Sequence, residues 1–428
     1  METNEKKPRD SGLASSKWMI ALCFLVYSSA YIARGNFAYA RTTMIEEGVI
    51  DVGVAAVLSA VYFGCYAVGQ LVNGAAADKH SPFVLVSIGL VSIAITNASM
   101  MLPLSPYVRI VVWGLNGLAQ SMLWCPIFYI ISNVLHSRVR YFAITIITLT
   151  TPLGKASCAW LSGVAIGFGR WQYIFLMASS VILLSGVLWI SFCLARRKDF
   201  VVDRTPAVPA EDEKKGNGLF GLLFKSGVVF MLPAMLVYGL FLNGVTELVP
   251  SILHGSYGLS SSSAAFLDSF IPLLGSLGVL VANLLYFKVF KQNDMKSAFF
   301  VMTFSLLPMA VMLSLALGGK GGYLIGQYAD SIIFVVTYGA VYILQLSFGH
   351  YCVSLVPMKF SKFALAATVS GVANAVGYGG SAIASYAMNY AVAGLELWQT
   401  VLIWIACLLA ASVFLMLALI KWNKFVKE

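Results

Sequence analysis

Residues 196–225 read RRKDFVVDRTPAVPAEDEKKGNGLFGLLFK, and this stretch decides how the chain is organised. It is rich in charge and contains two prolines, whereas the sequence on either side is a succession of apolar runs. Six of those runs precede the stretch and six follow it. We therefore interpret it as a linker between two halves that contain the same number of helices.

Each apolar run is long enough to cross a bilayer. A helix needs about 20 apolar residues to span a hydrocarbon layer of about 30 Å, and unpaired backbone groups in that layer cost several kcal/mol each, which favours helices for all of these runs. The runs, numbered here as helix 1 to helix 12, are 17–40, 53–76, 82–103, 107–134, 140–166, 171–195, 226–250, 261–288, 297–317, 323–353, 361–388 and 395–420.

The sequence therefore predicts an all-α membrane protein with twelve transmembrane helices in two pseudo-symmetric six-helix bundles. The first bundle comprises residues 17–195 and the second comprises residues 226–421. Short cytoplasmic tails, 1–16 and 422–428, flank them.

Composition excludes a water-soluble protein. The 428 residues are 59% hydrophobic and 11% charged, with a mean hydropathy of +0.84. Soluble domains carry about 25% charged residues, so a cytosolic, nuclear or secreted protein is excluded. The seven cysteines all fall inside apolar runs, and we expect no disulfide framework among them.

The basic residues indicate which side of the membrane each loop faces. If the N-terminus is cytoplasmic, 22 of the 28 Lys and Arg residues lie on the cytoplasmic side. The opposite loops hold four: Arg41, Arg109, Arg170 and Lys320. Cytoplasmic loops carry the excess of Lys and Arg, so both termini should be cytoplasmic, in a bacterial plasma membrane. Contacts with anionic membrane lipid also explain the net charge of +10 without a nucleic-acid partner.

Several motifs carry a resemblance to known transporters. After helix 2, GAAADK at 74–79 resembles the G-x-x-x-D-[RK] loop of the major facilitator superfamily. In helix 1, YIARGNFAYA at 31–40 resembles the Y-x-x-R-x-N-F-x-x-A pattern of the organophosphate:phosphate antiporters, the group that contains glycerol-3-phosphate and hexose-phosphate exchangers. Helix 7 at 243–250 and helix 11 at 368–381 are also similar to that family.

Three positions depart from the family pattern. A second arginine, a lysine and a histidine of that family fall here at Leu242, Gln70 and Thr151. In that family, two arginines from opposite halves grip one phosphate, and of this pair only Arg34 is present. The resemblance implies a shared scaffold and a small anionic metabolite as substrate, with inorganic phosphate or a proton as the counter- or co-ion.

Arg34 and Lys155, the two cations left inside apolar runs, predict an anion site. They lie about 17 and 16 residues into helices 1 and 5, at about 1.5 Å per residue, and so at similar depth. An arginine binds carboxylate or phosphate at two points, and a lysine adds a point charge. The alternative is that one or both neutralise a carboxylate within the membrane. The other predicted substrate-binding residues are Tyr31, Asn36, Tyr62 and Tyr378.

Acidic residues of the second half are candidate partners for these cations. Glu247 near the outer end of helix 7 and Asp268 two turns into helix 8 are predicted to gate the site or to carry a coupling proton. Asp330, near the start of helix 10, is expected to be solvated. His350 in the same helix is expected to be a hydrogen-bonded packing group.

The sequence contains no H-E-x-x-H, G-x-S-x-G or G-x-x-x-x-G-K-[ST] motif, and we expect neither an enzyme nor a cofactor or metal site. The predicted function is secondary active transport of a small organic anion or phosphate ester by alternating access, carried out by a monomer. Two alternatives stay open. One is proton-coupled transport of a carboxylate or sugar acid, and the other is a sensor on the same scaffold that does not transport.

Overall fold

The computed structural model describes residues 13–166, 170–196, 219–259, 261–318, 323–391 and 395–426. All regular elements in these ranges are helical. Most of the predicted N-terminal tail and residues 197–218 of the predicted linker lie outside the described residues. The last residues of the predicted linker lie in a short apolar helix, Leu219–Ser226.

The first six helices follow the apolar runs closely. Helix 1 begins earlier than predicted and helix 5 is broken once, at Leu149. Their bounds are Leu13–Glu46, Val52–Lys79, Pro82–Ser99, Pro106–Tyr129 with Ile130–Val134, Ser137–Thr148 with Thr150–Ile166, and Gln172–Ala195.

The second six helices are more often interrupted. Helices 7 to 10 each consist of two or more consecutive segments. The bounds are Val228–Gly239 with Leu240–Val245 and Thr246–Gly255, Ser261–Asp268 with Phe270–Leu284 and Leu285–Val289, Asp294–Phe304 with Leu306–Gly318, Gln327–Gly349 with His350–Leu355, Val356–Met358 and Lys359–Phe363, Ala366–Ala391, and Leu397–Phe425.

Eleven helices in the described part of the chain are long and apolar enough to cross a membrane. Helix 11, Ala366–Ala391, is 26 residues long but rich in glycine, serine and asparagine, and it is not among those eleven. It packs against helices 2 and 7, and most of its described side chains are buried. Its polar character therefore fits a position between other helices, away from lipid.

The two halves repeat one pattern of helix pairs. In the first half, helix 1 packs on helices 5 and 6, helix 4 packs on helices 2 and 3, and helix 3 packs on helix 6. The second half has the corresponding pairs, with helix 7 on helices 11 and 12, helix 10 on helices 8 and 9, and helix 9 on helix 12. Helix 2 with helix 11 and helix 5 with helix 8 join the halves.

Four helices of the described chain contain a π-helical turn, in which backbone hydrogen bonds reach five residues along the chain. These turns are Ile130–Val134 in helix 4, Leu240–Val245 in helix 7, Leu285–Val289 in helix 8 and His350–Leu355 in helix 10. Helices 4 and 10 correspond between the halves, so their two π-helical turns belong to the repeated pattern.

These two cross-half pairs are bonded at the end of the molecule that the charge pattern predicts to be cytoplasmic. Asp78, at the end of helix 2, accepts hydrogen bonds from the backbone N of Ala367 at 3.3 Å and of Thr368 at 2.7 Å, and from Thr368 Oγ1 at 2.6 Å. Near the start of helix 5, the Tyr141 hydroxyl donates to Asn283 Oδ1 of helix 8. This end of the molecule is therefore closed between the halves.

Arg109 differs from the expectation that it lies in a loop. It is in the first turn of helix 4 and only 2% exposed. Its guanidinium donates to the backbone carbonyl oxygens of Leu104 at 3.2 Å, Met100 at 2.7 Å and Leu102 at 2.9 Å. Since those carbonyls end helix 3 and form the following loop, Arg109 stabilises the connection between helices 3 and 4.

Helices 1 and 5 pack closely together at Gly154. We expect Gly154→Ala to lower the melting temperature, because its methyl group would lie 2.5 Å from Tyr31 Cβ and 3.1 Å from the carbonyl oxygen of Ser28. Overpacking of this kind costs about 1–3 kcal/mol. Gly163→Ala on the same helix is the matched control, because a Cβ there meets nothing within 4 Å. Equal melting temperatures of the two purified variants would contradict this close approach.

Candidate functional site

Arg34 lies in the middle of helix 1 and is surrounded by tyrosine rings. Its guanidinium carbon is 4.6 Å from the ring centroids of both Tyr31 and Tyr66, and 5.5 Å from that of Tyr378. These distances are within the range of cation–π attraction. Tyr31 and Tyr66 come from helices 1 and 2 of the first half and Tyr378 comes from helix 11 of the second, so the cation lies where the halves meet.

Hydrogen bonds satisfy only part of the guanidinium. Arg34 Nε donates to Gln120 Oε1 at 3.3 Å, and Nη1 donates to the hydroxyl of Tyr378. The third nitrogen, Nη2, is buried and has no hydrogen-bond partner. Buried donors are nearly always paired in folded proteins, so Nη2 marks a place where an acceptor is expected.

Three more buried polar atoms without a partner belong to residues that adjoin Arg34. They are the hydroxyls of Tyr62 and Tyr66 and the amide nitrogen Nε2 of Gln120. Both tyrosines interact electrostatically with Arg34, and Gln120 is bonded to it. All of these atoms can donate a hydrogen bond. The group is therefore suited to a ligand that carries several acceptor oxygens.

Lys155, on helix 5, faces the second half. Its Nζ donates to the hydroxyl of Tyr342 on helix 10 at 3.2 Å and lies 5.7 Å from that ring centroid. Another residue of helix 5 reaches the surroundings of Arg34. Thr151, one turn before Lys155, donates to the hydroxyl of Tyr31 at 2.8 Å, and the Tyr31 ring contacts Arg34.

Asn36 has a different environment from the other predicted binding residues. It is fully buried, its Nδ2 donates to Asn97 Oδ1 of helix 3 at 2.8 Å, and its Oδ1 accepts from the backbone N of Phe37 at 2.9 Å. Because both ends of the side chain are already bonded within the first half, we remove Asn36 from the proposed anion site and assign it a packing role.

The acidic candidates lie in three different settings. Asp268 ends the first segment of helix 8, and its Oδ1 is buried without a partner. Asp330 was wrongly expected to be solvated: it is 3% exposed and accepts from the backbone N of Leu324 at 2.6 Å and of Ile325 at 3.1 Å. Glu247 belongs to the segment Thr246–Gly255, but its side chain lies outside the described residues.

His350 connects the halves below the site. Its ring is buried, and Nδ1 hydrogen-bonds with Thr148 Oγ1 of helix 5 at 3.1 Å. This agrees with the expected packing role, since the hydrogen bond joins helix 10 to helix 5.

Sequence analysis missed Tyr66 and Gln120 as neighbours of Arg34. Two signals in the sequence could have found them. Tyr66 follows Tyr62 by four residues and so shares its face of helix 2. Gln120 is a polar residue in the middle of the apolar helix 4, where an unpaired amide would be costly.

Comparisons with known proteins point to transporters. The sequence model of the Major Facilitator Superfamily matches residues 23–385. The chain is 22% identical to the glycerol-3-phosphate transporter of Bacillus subtilis, a match that covers 94% of this chain and 90% of that protein. It is 22% identical to the hexuronate transporter of the same organism, which covers 76% of this chain and 78% of that protein.

A third relative matches over a shorter stretch. The chain is 23% identical to a probable hexose phosphate transport protein of Chlamydia trachomatis, over 39% of this chain and 37% of that protein. Among solved structures, a bacterial homologue of the iron transporter ferroportin in an outward-facing state is similar, with a TM-score of 0.69 and 11% identity. That match covers 96% of this chain and 99% of the other, and it establishes the likeness of the fold alone.

Proposed function

The chain belongs to the Major Facilitator Superfamily, and from this premise we propose that it carries a small organic anion, such as a phosphate ester or a sugar acid, across the membrane by alternating access. The relatives named for glycerol 3-phosphate, hexose phosphate and hexuronate support an anionic metabolite as the substrate. The transported species would exchange for inorganic phosphate or move together with a proton.

One observation carries the proposal. Arg34 Nη2, the hydroxyls of Tyr62 and Tyr66, and Gln120 Nε2 are a group of buried donors for which no protein atom lies in good hydrogen-bond geometry. A phosphate or carboxylate supplies several acceptor oxygens at once, and charge-assisted hydrogen bonds to it are about twice as strong as neutral ones. We infer that the anionic end of the substrate binds at Arg34.

The arrangement of the halves supports alternating access as the mechanism. Arg34 bonds to Tyr378 and Lys155 bonds to Tyr342, so both proposed anion-binding cations already contact the second half. We propose that the bundles 17–195 and 226–421 rock about this site, with both termini in the cytoplasm. The bonds of Asp78 and Tyr141 would then hold the cytoplasmic end closed while the site faces the other side.

Lys155 is proposed to supply the second positive charge. We expect Lys155→Gln to weaken anion binding about five- to tenfold, a loss of about 1–1.4 kcal/mol, which is that of an ordinary hydrogen bond because glutamine can still donate one. Tyr342→Phe is the control, because it removes the partner of Lys155 and keeps the charge. Tyr342→Phe should bind as tightly as the unaltered protein. If Lys155→Gln does so too, Lys155 does not contribute to the anion site.

Transport assays in proteoliposomes test the proposed function. The purified chain is reconstituted with inorganic phosphate inside, and uptake of labelled glycerol 3-phosphate, glucose 6-phosphate and glucuronate is measured against empty liposomes. Uptake that requires internal phosphate would identify an antiporter, and uptake that requires an inward proton gradient would identify the proton-coupled alternative. Binding without uptake under both conditions would identify a sensor and overturn the proposal.

A further inference from the structure

Asp268 is a partly buried acid that the proposed anion site does not use. It is the last residue of Ser261–Asp268, directly before helix 8 is interrupted at Ser269. Its Oδ1 is buried without a hydrogen-bond partner. An ionised carboxylate in such a place is costly unless a cation pairs with it or a proton neutralises it. The position therefore calls for one of these two partners.

Lys155 is the cation that acts on Asp268. It lies on helix 5 of the other half and interacts electrostatically with the carboxyl group. Its hydrogen bond, however, goes to the hydroxyl of Tyr342. In the conformation described here, the ammonium is therefore close enough to influence the acid but is bonded elsewhere.

The other ionisable groups around Asp268 are mostly neutral hydroxyls. Tyr39 of helix 1 and Tyr338 of helix 10 both interact with it. The next segment of helix 8, Phe270–Leu284, contains no ionisable residue. On the adjoining segment of helix 7, His254 Nδ1 is bonded to the carbonyl of Leu259 at 2.7 Å, and the side chain of Glu247 is outside the described residues.

The first segment of helix 10, Gln327–Gly349, also packs against Ser261–Asp268, and its one charged residue is already satisfied. Asp330 accepts two backbone hydrogen bonds. Among the described side chains that face Asp268, Lys155 is thus the group that carries a charge of opposite sign.

We propose that Asp268 binds the coupling proton, and that its ionised carboxylate and the substrate anion compete for Lys155. When the carboxylate is ionised, it attracts the ammonium away from the anion. When a hydronium ion transfers a proton to a carboxylate oxygen, the acid becomes neutral and Lys155 is free to bind the anion. One O–H bond of the hydronium ion breaks, one forms on the carboxyl group, and water is left, so charge and protons balance without a further reactant.

Proton and anion should therefore bind together, which makes the protein a proton–anion symporter. This inference rests on the proposed function in one respect, namely that the anion contacts Lys155. Because binding of the anion is linked to one proton, the affinity should fall as the pH rises through the titration of Asp268, by up to about tenfold per pH unit. Below that range, the affinity should be constant.

The probe for this test must not change its own charge. Glucuronate is suitable, because a carboxylate with an ordinary pKa near 4 stays ionised above about pH 5.5. Phosphate esters are unsuitable, since they lose a second proton near pH 6. Binding of glucuronate to the purified full-length protein is measured by calorimetry from pH 5.5 to pH 8.5.

The unaltered protein should bind glucuronate at least tenfold more weakly at pH 8.5 than at pH 5.5. Asp268→Asn mimics the protonated acid and should have an affinity independent of pH. Lys155→Gln should also lose the pH dependence, because no cation is left to compete for. Glu46→Gln, a change of an exposed carboxylate on helix 1, should keep it. A pH dependence that persists in Asp268→Asn would overturn the inference.

A second measurement separates this inference from the proposed function. Infrared difference spectra recorded over the same pH range should contain the signal of a protonated carboxylic acid that titrates, and Asp268→Asn should lack it. If the protein binds no glucuronate but the signal is present, the choice of substrate is wrong and the proton site stands. If the signal is absent from the unaltered protein, Asp268 does not bind the proton, whatever the protein transports.

Discussion

Replacing Arg34 with lysine is expected to weaken anion binding about ten- to hundredfold, the largest effect that we predict for a conservative change. Arginine offers two parallel donors to one carboxylate or phosphate, whereas an ammonium is a point charge that cannot reproduce this geometry. A hydrogen bond to a charged group contributes about 1.5–3 kcal/mol, which corresponds to that range of affinities. Direct binding of glycerol 3-phosphate and glucuronate to purified protein measures the effect.

Arg41→Lys provides the matched control for this experiment. Arg41 lies two turns further along the same helix, and the same change there should leave binding unaltered. Folding should survive in both variants, since lysine keeps the charge that Tyr31 and Tyr66 attract. If Arg34→Lys binds and transports both anions like the unaltered protein, Arg34 is not the anion-binding residue.

Replacing Asp78 with alanine is expected to open the cytoplasmic end. The carboxylate accepts the backbone N–H groups of Ala367 and Thr368 at the first turn of helix 11, where a negative charge is also favoured by the helix dipole. Loss of these charged hydrogen bonds should shift the equilibrium between closed and open forms by about 1.5–3 kcal/mol, or about ten- to hundredfold. Hydrogen–deuterium exchange of the peptide that contains residues 366–371 should accelerate accordingly.

Lys79→Ala tests whether this effect belongs to the carboxylate. Lys79 is the exposed neighbour of Asp78, and its loss should leave the exchange of the helix 11 peptide unchanged. Exchange rates that are the same in Asp78→Ala and in the unaltered protein would show that this contact does not hold the halves together.

Most of the fold could be predicted from the sequence, because the bilayer imposes a length and an apolar composition on every crossing. Each predicted run contains a helix, and the resemblance identified the superfamily, but helix 10 continues to Phe363, ten residues beyond its predicted end at 353. Helix 11 shows the limit of the rule. Its many small and polar residues face helices 2 and 7, so its composition does not identify it as a transmembrane helix. It is identified by its position in the sequence between helices 10 and 12.

The site was predictable only in part. Buried cations are rare in membranes, so Arg34 and Lys155 stood out, and Tyr31 and Tyr378 do contact Arg34. Sequence cannot tell which polar groups a neighbouring helix already satisfies. Asn36 belongs to the same motif as Arg34, yet its side chain is already hydrogen-bonded to Asn97 of helix 3.

Two neighbours of Arg34 were not predicted for the same reason, namely that the sequence does not show how adjacent helices pack. Tyr66 and Gln120 come from helices 2 and 4, and their contact with Arg34 depends on how those helices are rotated. That rotation is set by packing between helices, which the pattern of one helix does not contain.

The π-helical turn at His350–Leu355 has a consequence for scanning mutagenesis of helix 10. One additional residue in the turn rotates everything beyond it by about 100° relative to a continuous α-helix. Positions seven residues apart share a face in an unbroken helix, but across this turn the equivalent spacing becomes eight. A cysteine scan plotted on a single helical wheel would therefore assign residues after Leu355 to the wrong face, and the same phase shift applies to helix 7 after Val245.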